Sequence, residues 1–270
     1  MKKNKKVLLI ISLFSFLFSL SSCDKKEDVP LPDGNPPIGK EPTEIIPTGT
    51  LMVHLHNYID ISEVDDYNIV YTTSEERKIS MEIGQFYLSN FELLKADGTI
   101  YNIPDSVVLK LQEVETYVVA NVPVGNYKGL SFHVGLNNKQ DKLPAKTSSK
   151  LNRPEMWFGN APEEKGYVFF NFQGKIDTTK NGEGKISEMV NFKYLIGTPN
   201  GYKKVTMPPQ PFSILPNKVE YAHMYADYSR LFSGIDLNII SNLSIATPED
   251  NASPRAAKFI ENIGNIFIYE

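Results

Sequence analysis

Along most of the chain, apolar and polar residues alternate. Leu51, Val53 and Leu55 interleave with Met52, His54 and His56. Ile79, Met81 and Ile83 lead on to Phe86, Leu88, Phe91 and Leu93. Further short alternating or apolar runs occupy residues 117–122, 130–134, 167–172, 189–196, 203–207, 212–215 and 219–227. A period of two places every second side chain on one face of an extended strand. Ala96-Asp97-Gly98, residues 123–126, Asn181-Gly182 and Pro199-Asn200-Gly201 punctuate these runs as turns. Many short strands with regular turns predict an all-β fold, an antiparallel two-sheet β-sandwich. One short helix is expected near the C-terminus, over 254–266. Ser253 would cap it ahead of Pro254, and Ala256, Phe259, Ile260 and Ile263 would face inward. A single turn of helix is expected at 229–235. Residues 137–162 form a long irregular stretch, which implies a binding or covering role.

The N-terminus breaks this pattern. Residues 1–6 hold four lysines, and 7–20 are fourteen residues without a charge. That run is shorter than the roughly 20 apolar residues of a membrane span. A basic start and a short apolar core describe a secretory signal. Leu20-Ser21-Ser22-Cys23 follows and resembles a bacterial lipobox, in which the cysteine is acylated and becomes the first mature residue. Three segments are therefore expected: a lipoprotein signal peptide over 1–22, the lipidated Cys23 with a Pro-rich tether over 23–49, and a β domain over 50–270. Six prolines between Pro30 and Pro47 suit an extended tether. The expected location is the outside of the cytoplasmic membrane, lipid-anchored to the bacterial outer membrane on its periplasmic or surface side. The charged residues 24–28 faintly resemble a surface-export signal of Bacteroidetes.

Composition narrows the function. The 270 residues carry a net charge of −4. Removing residues 1–22 takes away four lysines, leaving 24 basic against 32 acidic residues, a charge of −8. A chain this acidic argues against nucleic acid as a partner, and the lipid must supply the hold on an anionic membrane. The lone cysteine, Cys23, excludes an intrachain disulfide and a cysteine-based zinc site. No nucleophile elbow, His-Glu-x-x-His or phosphate loop is present, so a binding protein rather than an enzyme is expected.

The order of segments resembles the MbnP-like lipoproteins, relatives of a methanobactin-associated copper-binding protein and typical of Bacteroidetes. Five stretches carry the resemblance between Leu51 and Gly197. They are the opening Leu51-Met-Val-His-Leu-His, the run from Phe86 to Asp97-Gly98, and Val122-Pro-Val-Gly-Asn-Tyr127 with its following strand to Gly135. The last two are Leu151 through Met156-Trp157-Phe158 to Gly174, and Phe192-Lys-Tyr-Leu-Ile-Gly197. The resemblance implies the fold, copper as cofactor or cargo, and a di-haem cytochrome peroxidase-type protein as redox partner. Leu195 stands where the family usually has histidine, and Asn137-Asn138-Lys139 where an Asn-His pair is found. A non-catalytic surface module binding glycan or a protein partner is the alternative.

Four histidines are available for chemistry. His54 and His56 share a strand face at a spacing of about 6.5–7 Å along the backbone, close enough to reach one copper or zinc ion. They would equally suit a solvent-facing strand surface. A third ligand would have to come from elsewhere in the chain, with His133 and the acids between Asp60 and Asp66 as candidates. Trp157, in a Met-Trp-Phe run, would be a core plug, a modified copper ligand or a platform for a sugar ring; His133 is a second ligand-surface candidate and would equally suit a satisfied or exposed sheet histidine. His223 has no partner visible in sequence.

Anchoring is directly testable. The intact mass of the native protein should correspond to a chain starting at an acylated Cys23 and lacking residues 1–22. Cys23→Ala should abolish lipid labelling and detergent partitioning; retained labelling would contradict the assignment.

Overall fold

The computed structural model describes residues 46–270; the expected signal peptide over 1–22, Cys23 and most of the expected tether lie outside the described residues. Fifteen strands follow in chain order: β1 (Thr48–Ile59), β2 (Ser62–Glu63), β3 (Tyr71–Thr72), β4 (Lys78–Lys95), β5 (Ile100–Asn102), β6 (Val107–Lys110), β7 (Thr116–Pro123), β8 (Gly125–Val134), β9 (Val168–Ile176), β10 (Val190–Gly197), β11 (Lys203–Thr206), β12 (Phe212–Ile214), β13 (Val219–Asp227), β14 (Ser244–Ile245) and β15 (Phe267–Tyr269). Two α-helices, α1 (Pro162–Lys165) and α2 (Pro254–Ile263), accompany short 3-10 turns. One turn, Tyr228–Phe232, falls where a single turn was expected.

The strands make two sheets. In the smaller, β1 lies between β13 and β7, with β15 beyond β13 and β2 at the end of β1. In the larger, β4 is the spine, pairing with β3, β5, β6, β8 and β9. The expected all-β sandwich is found, with two parallel ladders that alternation alone does not reveal. They are β1 with β13, and the short β10 with β14. Parallel neighbours need a long crossover, and the rest of the domain intervenes between β1 and β13.

Inward faces of both sheets meet in one core. Leu51, Val53 and Leu55 of the small sheet join Phe86, Leu88, Phe132, Phe170 and Phe172 of the large one. Aromatic stacking is dense there: Phe86 lies flat on Phe170 at 5.0 Å, and Tyr194 on Phe259 of α2 at 4.1 Å. Ser253 caps α2 by accepting from the Ala256 N–H, as the sequence predicts; the helix ends at Ile263, three residues earlier than expected.

The large sheet is covered on its outer side as well. Tyr87 and Phe169, alternating with the inward Phe86 and Phe170, form a second cluster with Leu109, Leu136, Leu151, Met156 and Tyr167. Much of the long 137–162 stretch therefore acts as a cover. This explains why residues 167–172 read as a nearly continuous apolar run: that part of β9 is buried on both faces. Beta-4 and β9 approach so closely that a Cβ at Gly174 would lie 2.1 Å from the Ser80 carbonyl oxygen, beside a bulge in β4. Gly98 adopts φ +92° in the Asp97-Gly98 turn, a conformation that favours glycine.

Phe172 is fully buried, with Phe192 at 4.7 Å and Tyr228 at 5.2 Å. Phe172→Ala should lower the unfolding free energy by about 3–5 kcal/mol, read from the denaturant midpoint. A loss below about 1 kcal/mol would mean that this aromatic group does not hold the sheets together.

Candidate metal centre

Beta-1 alternates strictly, with Leu51, Val53, Leu55 and Asn57 buried and Met52, His54, His56 and Tyr58 on the outer side. The outward orientation of His54 and His56 therefore agrees with a solvent-facing strand surface. What sequence does not show is the company they keep. The His54 and His56 rings stand 4.5 Å apart, tilted by 33°. In the parallel register His54 lies opposite His223 of β13, and those rings are 5.1 Å apart.

Three glutamates close on the rings. Glu115 reaches both: its Oε2 is 3.5 Å from His54 Nε2 and its Oε1 3.7 Å from His56 Nδ1. Glu63 on β2 contacts His56 Nδ1 directly. Glu270 lies 3.6 Å from His56 Nε2 and 3.9 Å from His223 Nδ1. One nitrogen each from His54 and His56 and one oxygen of Glu115 all fall within 4.8 Å of one another. That is a compact imidazole–imidazole–carboxylate set, half-buried at the histidines and open at Glu115. Such donors match copper(II) and zinc(II), which accept imidazole nitrogen and carboxylate oxygen. The surrounding carboxylates favour a cation electrostatically.

Glu115 is delivered by the segment that carries the chain from the large sheet to the small one. Beta-6 pairs with β4, whereas β7 pairs with β1. In the connection, the Glu115 carbonyl accepts the Leu55 N–H at 2.8 Å, which seats Glu115 between the two histidines along β1. Lys110 supports this connection from inside. Its side chain is fully buried, and its Nζ donates to the Leu111 and Val114 carbonyls, each at 2.9 Å. The Tyr117 hydroxyl accepts from the Leu111 N–H at 2.9 Å and donates to the Val114 carbonyl. Burial pushes the Lys110 ammonium down to about 8, against the opposing pull of the Glu115 carboxylate.

The other sequence candidates lie elsewhere. His133 alternates with the core residues Phe132 and Val134, so it projects from the outer side of the large sheet. There it stacks on Tyr202, 4.4 Å between rings and 7° from parallel. Burial, helped by the positive charge of Lys204, lowers its pKa. Trp157 packs on the outer cluster of the same sheet, and its Nε1 donates to the Leu151 carbonyl at 2.9 Å. Both therefore sit across the sandwich from His54 and His56, and His133 is corrected as a third ligand: two sheets and the core intervene. Of the acids between Asp60 and Asp66, Glu63 does reach one of the pair, His56. Glu115, His223 and Glu270 were missed. Only His223 left a signal, as the middle of Tyr221-x-His223-x-Tyr225, a period-two outward row. Leu195 is buried against Phe158 and Val168, far in character from a ligand position.

Comparison with known proteins places these features in context. The sequence model of the MbnP family matches residues 48–247, a span from β1 through β14 that stops before α2 and Glu270. Among solved structures, MbnP from Methylosinus trichosporium is similar, at 14% identity and a TM-score of 0.43, over 69% of this chain and 78% of that one. No curated protein matches.

The buried lysine gives a pH signature. Its folded-state pKa lies near 8, below the ordinary 10.5. Between those values the unfolded chain keeps a proton that the folded protein has released, so stability rises with pH. Urea unfolding should show wild type gaining about 2–3 kcal/mol relative to Lys110→Met between pH 7 and pH 10. A difference that does not change with pH would contradict the buried, depressed ammonium.

Proposed function

The chain belongs to the MbnP family, and on that premise we propose that it is a copper-binding protein of the cell envelope that holds its ion on the outer face of β1. The observation that carries this reading is the convergence of His54, His56 and Glu115 ligand atoms within 4.8 Å. Glu63, His223 and Glu270 surround that set. These residues can orient one another, since a ligating histidine is usually held by a carboxylate on its other nitrogen. His56 is placed for this, with carboxylates near both ring nitrogens.

The donor chemistry supports a divalent ion. For nitrogen and oxygen ligands, copper(II) is bound more tightly than zinc or the earlier divalent metals. Three protein ligands leave a further coordination position for water or another donor. Bound copper would supply redox chemistry at the surface; this chain would bind the ion, hold its histidines in register through β1, and keep it exposed to a partner. A di-haem cytochrome peroxidase-type protein is proposed as that partner from the family resemblance. The lipid anchor on Cys23 is proposed to keep the domain at the membrane, and no catalytic role is assigned. The alternative is a surface module that recognises glycan or protein.

A copper(II) titration of tag-free protein decides between them. One ion per chain should bind. His54→Ala/His56→Ala should abolish binding, and Glu115→Gln should weaken it by about tenfold or more. Binding should also fall in acid, because imidazole coordinates only when neutral. If the double variant binds as wild type does, or neither binds, the recognition module replaces the copper reading.

A further inference from the structure

A cleft of about 320 Å³ opens beside the histidine cluster, at the edge of β13. It arises because β15 pairs with β13 only over Met224, Tyr225 and Ala226. The preceding stretch of β13, from Glu220 to His223, lines the cleft instead. Leu51 and Leu130, one from each sheet, contribute apolar surface, and Gln210 and Pro211 border it ahead of β12. The volume is at the small end of ligand pockets.

Its lining has a consistent chemical bias. Three aromatic side chains border it: Phe212, Tyr221 and Tyr269. Phe212 is fixed by stacking on Tyr127 at 5.5 Å, and Tyr221 is 43% exposed, so its ring can be approached. Burial raises the Tyr269 phenol to about 12, which keeps it neutral at physiological pH. The carboxylates are Glu220 and Glu270, and no lysine or arginine is among the lining residues. Aromatic faces attract cations through their quadrupole, and carboxylates accept charge-assisted hydrogen bonds from ammonium groups. An anion would meet two like charges with no compensating cation.

We propose that this cleft is a binding site for a small organic amine with an apolar or aromatic body. The apolar part lies against Phe212 and Tyr269 with Tyr221 at the outer rim, and the ammonium is received at the open edge of β13, which Glu220 flanks from the inner face and Glu270 from the outer face. The site is distinct from the copper set of His54, His56 and Glu115, although His223 and Glu270 border both. It needs no metal ion, so it stands or falls separately from the copper reading.

The test is calorimetric titration of the full mature protein in EDTA, with phenethylamine as probe and 3-phenylpropionate as its anionic counterpart. Phenethylamine should bind saturably, and 3-phenylpropionate should bind at least tenfold more weakly. Glu220→Gln and Tyr221→Ala, both on the exposed edge of β13, should each weaken phenethylamine binding at least fivefold while leaving the thermal midpoint within a few degrees. Equal binding of amine and carboxylate, no binding of the amine, or unchanged affinity in both folded variants would each overturn the proposal. Because EDTA removes metal throughout, these outcomes cannot be produced by loss of the copper site.

Discussion

The register of β1 governs both the interior and the surface of this protein. One set of alternate residues, Leu51, Val53 and Leu55, enters the core, and the other, with His54 and His56, forms the outer surface of the strand. Because side chains alternate with a period of two, a slip of one residue would exchange the sets. Imidazoles would then enter an apolar core without partners, and three large aliphatic side chains would face water. Burial therefore enforces the same register that aligns His54 with His223 and sets Glu115 beside both outward histidines of β1. The surface chemistry is held in place by hydrophobic burial on the reverse of the strand.

The alternation of β1 was readable in the sequence, and so were most strands, the Asp97-Gly98 turn and the capped helix. Each rests on local signals: period two, a glycine able to take positive φ, and a serine ahead of proline. The parallel partnership of β1 with β13 was not readable, since nothing local in 219–227 specifies which strand lies beside it. The candidate site was legible in proportion. His54-x-His56 is a local spacing and stood out. Glu115 looked like one of many polar connection residues, and its role depends on a crossing between sheets. Glu270 enters only through the pairing of β15 with β13.

Trp157 and His133 show the opposite limit. Their residue types fit copper or sugar chemistry, but the large sheet has an apolar layer on its outer side. Trp157 belongs to that cover, tied to Leu151, and His133 is stacked on Tyr202. A sandwich with a third layer breaks the usual equation of outward strand residues with solvent. Tyr87 and Phe169 face outward from the sandwich core and are nonetheless buried. Lys110 inverts the rule in the other direction, as a charge-bearing side chain held inside because two carbonyls of the sheet crossing need its donors.

The β1–β13 ladder joins Thr50 to Val219 and Tyr58 to Asp227, positions about 170 residues apart. A chain emerging from its N-terminus exposes β1 long before that partner exists. Contacts of such high sequence separation pay their loop-closure entropy late, which makes them slow to form. Beta-7 can shield one edge of β1 early, but the other edge stays available for wrong pairings until nearly the whole domain has been made. The grouping of His54 with His223 is accordingly among the last features to assemble. The His54, His56 and Glu115 set lies on β1 and the segment leading into β7 and can assemble earlier, whereas the cluster completed by His223 and Glu270 is a signature of a chain that has already closed its sandwich.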